Sequence, residues 1–146
     1  MSRSHRLAWA AGFIDGDGFI TIQNRRTTSG SVVYTGQYLR LGCCQAAESP
    51  LKELQSIFGG TIRIKNSGPD KENYSRKIQY IWTLSTKQAA AAIQQLLPYL
   101  VHKREVAILA LQFQATMQYS KQKVTKETLE HRLLLKQQIE LINSES

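Results

Sequence analysis

Two aspartates one residue apart, in the run Asp15-Gly16-Asp17-Gly18, are the part of this chain best placed to do chemistry. Upstream, His5-Arg6-Leu7-Ala8-Trp9 contains good helix formers and no breaker, which predicts a helix running into the aspartates. Carboxylates are disfavoured there, because the C-terminal end of a helix already carries about half a negative charge. A divalent cation resolves that conflict, and hard oxygen donors suit Mg²⁺. Gly16 and Gly18 are available for a left-handed stop after the helix. In isolation the four residues also fit an ordinary polar turn between a helix and a strand. Other chemistries find little support: His5, His102 and His131 lack metal-ligand spacing, and neither a GxSxG nucleophile nor a Walker-type phosphate loop occurs.

The elements that must position these aspartates are legible in outline. Ala8, Gly12 and Gly16 recur at intervals that line one helix face, and small residues so spaced let two helix backbones approach closely. Residues 19–26 predict a strand that starts apolar and ends basic; residues 27–31 form a polar turn, and 32–45 return as a second strand. Alternation puts Leu39, Leu41 and Cys43 on one face, with Tyr38, Arg40 and Gly42 on the other. Ser49 is the expected N-cap of a helix over 51–58, with Pro50 at its first position and Gly59-Gly60 ending it. The same strand–strand–helix order then repeats. Residues 61–65 form a strand with Ile62 and Ile64 inward and Arg63 and Lys65 outward. Residues 76–84 form another, with Ile78, Tyr80, Trp82 and Leu84 inward and Lys77, Gln79, Ile81 and Thr83 outward. Ser85 or Thr86 caps a helix that Pro98 ends, and further helices cover 102–117 and 125–142. The result is an α+β chain in the order αββαββα with extra C-terminal helices. It is expected to be one domain over residues 1–146, with a core at about 5–118 and a helical extension at about 119–146.

The 146 residues suffice for one domain with a real core, and 19 Lys+Arg against 11 Asp+Glu leave a formal charge of +8. That excess suggests a polyanionic partner and is silent about fold. Its placement is more informative. Arg25, Arg26, Arg40, Arg63, Lys65, Arg76 and Lys77 fall within the four strands or at their tips, and no Asp or Glu lies inside any of them. A merely solvated face mixes signs to lower self-repulsion. A sheet laid in a DNA groove does not: Arg and Lys take phosphates or guanine edges, and Gln23 or Gln79 reads adenine. Neighbouring Cys43 and Cys44 point to opposite faces of a strand and are not expected to bridge. With no signal peptide and no bilayer-spanning apolar run, the chain is expected to be soluble and intracellular, with no membrane partner and no small-molecule substrate.

The stretch Ala10 to Gly18 resembles the motif of the LAGLIDADG homing endonucleases. Gly12, Ile14, Asp15, Asp17 and Gly18 match by identity; Ala10 and Phe13 replace leucines, and Gly16 replaces an alanine. The αββαββα order is that family's fold, so the resemblance covers nearly the whole chain. It implies an antiparallel sheet forming a saddle in the DNA major groove. Thr21, Gln23, Arg25, Tyr38, Arg40, Arg63, Lys65, Gln79 and Ile81 are then the outward DNA-contacting residues, while Arg26, Arg76 and Lys77 touch phosphates. Asp17 is implied as the metal ligand together with the Gly16 carbonyl, for Mg²⁺ with Mn²⁺ as a substitute. Gln45 matches a polar residue that orients the attacking water, and Lys103 matches a lysine near the scissile phosphate that activates water or stabilises developing charge. The chain departs from some relatives at Ser49, where they carry a basic residue. One motif per chain implies a homodimer joined through Ala8, Gly12, Asp15 and Gly16, cutting both strands of a long pseudo-palindromic site. Proteins of this type are encoded in mobile introns, in a prokaryotic cytoplasm or an organelle. Two other readings use the same fold: a DNA-binding regulator that does not cleave, and an intron RNA maturase.

Overall fold

The structure is a computed structural model and describes residues 2–66, 68, 71–72, 77–117 and 124–145. The first helix, α1 (Arg3–Asp17), starts where the Ser2 hydroxyl accepts the His5 amide and ends by running straight into a strand. The expected left-handed stop does not occur. Gly18 is extended at φ −87°, and Gly16 lies within the helix. Glycine is needed at 18 for a different reason: a Cβ there would lie 2.9 Å from the Ile14 Cα, so the turn from helix to strand leaves no room for one.

The strands β1 (Gly18–Ser29), β2 (Val32–Gln45), β3 (Thr61–Asn66) and β4 (Gln79–Ser85) form one antiparallel sheet in the order β1-β2-β4-β3. Between them come α2 (Ser49–Phe58) after β2 and α3 (Thr86–Leu96) after β4; a 3-10 turn over Leu97–Tyr99 leads to α4 (Arg104–Ala115), and α5 (Lys126–Glu145) follows. Residues paired across strands share a face, so the register sets Ile22 with Leu39, Ile20 with Leu41 and Leu84, and Cys43 with Trp82 and Ile62. All of these are buried except Ile62, which is half-buried, and Ala10, Ala11 and Ile14 of α1 join them in the core. The Trp82 indole N–H donates to the Gly59 carbonyl at 2.8 Å, which satisfies the single polar atom of the largest buried side chain.

Helix α1 is tied to α2 by an Arg6–Glu53 ion pair at 3.0 Å and to α3 by a hydrogen bond from Arg3 to Gln95. Helix α5 buries Leu135 and Ile139, and Arg132 donates to the Thr116 carbonyl at 2.7 Å, fastening it to the end of α4. Its Asn143 amide donates to the Ile20 carbonyl at 3.0 Å, so α5 also covers part of the free edge of β1. Among the described residues no helix is long and apolar enough to cross a membrane.

Several expectations are corrected. Ser49 is the first residue of α2 rather than its cap; Glu48 takes the N-cap position without a side-chain hydrogen bond. The fourth strand begins at Gln79, after Lys77 and Ile78, because pairing with β2 and β3 stops at Tyr80 and Gln79 and a strand has no ladder beyond its partners. Lys77 and Ile78 therefore precede the strand, and Ile78 is exposed rather than inward; Arg76 lies outside the described residues. Ile64 is on the core-facing side by register yet 62% exposed, near the end of the edge strand β3 and beside its register shift. The fourth helix starts at Arg104 instead of 102, with Lys103 at its N-cap.

Gly60 is held at φ +96°, where a Cβ would also meet the Thr83 carbonyl oxygen at 2.6 Å. Gly60→Ala is expected to lower the unfolding free energy by roughly 1–3 kcal/mol. Urea titration by circular dichroism checks this: the midpoint should fall with the slope unchanged.

Candidate functional site

The last four carbonyls of a helix have no partner within it, so the end of α1 is best understood by asking what each one meets. The Ile14 carbonyl accepts the Gly18 N–H. The Asp15 carbonyl accepts the Lys103 ammonium at 3.1 Å, placing a cation where the helix end is negative. The Asp17 carbonyl receives the Cys43 thiol, a weak donor, at 3.6 Å. Among the described residues no donor reaches the Gly16 carbonyl.

The two carboxylates behave differently. Asp15 turns back into the protein, where its Oδ2 accepts the Val101 N–H at 2.7 Å and its Oδ1 accepts the Lys103 N–H at 2.9 Å. Asp17 is exposed, and among the described residues only its Oδ2 is engaged, accepting the Gln45 side-chain amide at 3.0 Å. Asp17, Gln45 and Lys103 are thus gathered around one helix end by α1, by the last residue of β2 and by the turn before α4.

Below them, Cys43 is fully buried, and burial pushes its thiol up to about 12, with the neighbouring Asp17 and Cys44 charges adding to the rise. It therefore stays a neutral donor to the helix end. Cys44 lies on the opposite face of the sheet, so the two sulfurs do not form a bridge.

Among the described residues no three His, Cys, Asp or Glu side chains gather to hold a metal ion. Among the described residues, the oxygen donors of this end are one carboxylate with an unengaged oxygen and one carbonyl without a donor, both hard and both at the negative pole of α1. That set fits Mg²⁺ from one side only and leaves further positions to water, substrate or a second copy of the site.

The face of the sheet away from the helices carries the remaining candidates. Register places Thr21 beside Arg40, Gln23 beside Tyr38, and Arg63 beside Ile81, all on this face, with Arg25 and Gln79 on the same side. Lys65 is exposed at a register shift between Ile64 and Asn66. Arg26 is exposed near the β1–β2 turn, on the opposite side of β1 from Arg25, and Lys77 is exposed ahead of β4. None of the four strands contains an acidic residue. The Arg25 guanidinium lies 4.6 Å from the Tyr38 ring centroid and that of Arg40 lies 5.5 Å from the Phe19 ring centroid, cation–π contacts that restrain both side chains.

Phe19 was not among the expected contact residues. Its alternation with Thr21 and Gln23 carries the signal, masked by its position in an apolar stretch. Gly42 opposite it makes the room, since a Cβ there would lie 2.4 Å from the Phe19 ring. Ala8, Gly12 and Gly16 all lie exposed along α1, and a Cβ at either glycine would meet nothing within 4 Å.

Fold and site together define an α+β protein of αββαββα order, with a carboxylate-bearing helix end set beside a basic antiparallel sheet. The family model described as LAGLIDADG endonuclease matches residues 10–111, and the chain belongs to that family. Comparison with curated proteins gives no match. Among solved structures, the homing endonuclease I-CvuI, in complex with the I-CreI target in the presence of Mg, aligns at 24% identity with a TM-score of 0.75 over 96% of this chain and 83% of that one. The archaeal intron-encoded homing endonuclease I-Vdi141I, complexed with DNA, aligns at 11% identity and TM-score 0.72, covering 97% and 86%. The LAGLIDADG homing endonuclease I-SmaMI bound to cleaved DNA aligns at 22% identity and TM-score 0.65; this chain is covered to 89%, that chain to 42%.

The buried, neutral Cys43 thiol should resist alkylation. In folded protein at pH 8, iodoacetamide is expected to label Cys44 and leave Cys43 unmodified until denaturant is added, which peptide mass spectrometry checks.

Proposed function

We propose that this chain is a homodimeric, site-specific DNA endonuclease that hydrolyses phosphodiesters with Mg²⁺ and cuts both strands of a long pseudo-palindromic site. The observation that carries the reading is the convergence of Asp17, Gln45 and Lys103 on the end of α1, beside a sheet face with basic residues and no acidic ones. Intron encoding and an intracellular location in a prokaryote or organelle accompany the reading, and Mn²⁺ is expected to replace Mg²⁺.

Residues of the open face bind and orient the duplex. Thr21, Gln23, Arg25, Tyr38, Arg40, Arg63, Lys65, Gln79 and Ile81 face the base edges, and Arg26, Arg76 and Lys77 neutralise phosphates. Asp17 and the Gly16 carbonyl hold the metal, which when bound supplies Lewis-acid stabilisation of the attacking and leaving oxygens. Gln45 restrains the Asp17 carboxylate through its amide N–H and keeps its carbonyl oxygen for orienting a water. Lys103 brings a positive charge to the same end, where charge develops on the phosphate. Two chains packed through the exposed Ala8, Gly12 and Gly16 face, which includes the Asp15 backbone, place two such ends on one twofold axis, matching a palindrome-like target.

Cleavage of a randomised, palindrome-biased DNA library in Mg²⁺ and in Ca²⁺ tests the reading, with Asp17→Asn run in parallel. Discrete cuts are expected for the unmutated protein in Mg²⁺ alone, with a loss of roughly 100-fold or more in Asp17→Asn. Specific retention without cutting would point to a regulator, and RNA binding that survives Asp17→Asn would point to a maturase. DNA affinity should fall with salt by about 0.9 log units per log unit of salt for each phosphate neutralised. Lys77→Ala should reduce that slope by about one contact. A monomer by sedimentation with and without DNA would remove the twofold arrangement.

A further inference from the structure

Asp15 is the part of the motif that the proposed reaction leaves without a chemical task, and the structure gives its carboxylate an unusual set of partners. Both oxygens accept backbone N–H groups from the far side of the chain, Val101 at 2.7 Å and Lys103 at 2.9 Å. The same residue's carbonyl accepts the Lys103 ammonium at 3.1 Å. Three contacts therefore link one residue of α1 to one short turn, two of them to Lys103 itself.

The turn needs such a partner. Lys103 is the N-cap of α4, its side chain has no oxygen with which to cap, and no side-chain cap bond forms there. Val106, three residues on, cannot return a bond to the Lys103 N–H as a glutamate would in a capping box. Asp15 supplies that acceptor from another helix. Its negative charge, disfavoured at the end of α1, is favoured at the start of α4, where the helix end is positive. The lysine stem is then fixed at both ends, by its own N–H on the carboxylate and by its ammonium on the carbonyl.

The geometry points to Asp15 as a positioning residue for Lys103, one that acts by clamping the 101–103 turn to the end of α1. This rests on the nuclease reading for its catalytic consequence, but the clamp itself does not. Replacing Asp15 with asparagine keeps the size and leaves one acceptor oxygen where there were two, freeing one N–H and with it the angle at which Lys103 leaves the backbone. A displacement near 1 Å of a positioned group costs on the order of 100-fold in rate.

The test has two arms. Amide hydrogen exchange followed by NMR reads the clamp directly. In the unmutated protein the Val101 and Lys103 amides should exchange more slowly than that of His102, which has no hydrogen bond among the described residues. In Asp15→Asn at least one of the two should lose its protection. Single-turnover cleavage reads the consequence: Asp15→Asn should lower the rate by roughly 10- to 100-fold, with DNA affinity in Ca²⁺ changed less than about twofold. In a Lys103→Ala background the same substitution should cost nothing further, since the residue it positions is gone. Unprotected amides in the unmutated protein overturn the proposal whether or not the variant folds. An equal loss of cleavage with and without Lys103 overturns it too, because Asp15 would then act by another route. If the unmutated protein cuts no DNA, the nuclease reading fails while the exchange arm still judges the clamp.

Discussion

The structure depends on how negative charge is accommodated at the C-terminal end of α1. Backbone carbonyls and two aspartates meet there, a combination a helix end opposes. Asp15 is satisfied within the chain: its carboxylate accepts two N–H groups of the 101–103 turn, and its carbonyl accepts the Lys103 ammonium. Asp17 is only half engaged, through Gln45, and the Gly16 carbonyl meets no donor among the described residues. One carboxylate is therefore structural by its contacts, and the other, on an exposed residue, keeps an oxygen without a partner among the described residues. Much of the remaining architecture delivers partners to this point. The β1–β2 hairpin returns Gln45 to it, and the 3-10 turn after α3 presents residues 101–103 to it.

A second constraint is the two-sidedness of the sheet. Period-two alternation commits Ile20, Ile22, Leu39, Leu41 and Cys43 to the helices and leaves Thr21, Gln23, Arg25, Tyr38 and Arg40 on the other side. A slip of one residue in register would exchange the two sets, so core burial also fixes the order of the basic face. The open face is structured in its own right. Arg25 over Tyr38 and Arg40 over Phe19 restrict side chains that would otherwise sample many rotamers, which lowers the entropy lost when a ligand immobilises them. The tight fit at Gly42, where the Phe19 ring leaves no room for a Cβ, is part of the same arrangement.

Local patterns were legible wherever the physics is local. The bounds of β2, the end of α2 at Gly59-Gly60 and the two faces of the first hairpin follow from side-chain period, φ freedom and turn chemistry, all encoded over a few residues. Errors cluster where the outcome depends on distant neighbours. Ile64 and Ile78 are apolar and correctly spaced for burial, yet exposed: Ile64 lies near the end of the edge strand β3 and Ile78 lies ahead of β4, positions that only the pairing of distant strands defines. The start of β4 was misplaced for a related reason: a strand extends only as far as a partner reaches.

By itself the sequence determined the αββαββα order, the basic open face and the presence of two carboxylates at a helix end, because alternation, charge and helix polarity are properties of short segments. Only the tertiary structure decided which carboxylate turns inward, that Gln45 reaches Asp17, and that Lys103 closes onto the Asp15 carbonyl. Those contacts join residues 28 and 88 positions apart. They depend on how the sheet and helices pack, and no spacing within a single element can specify them.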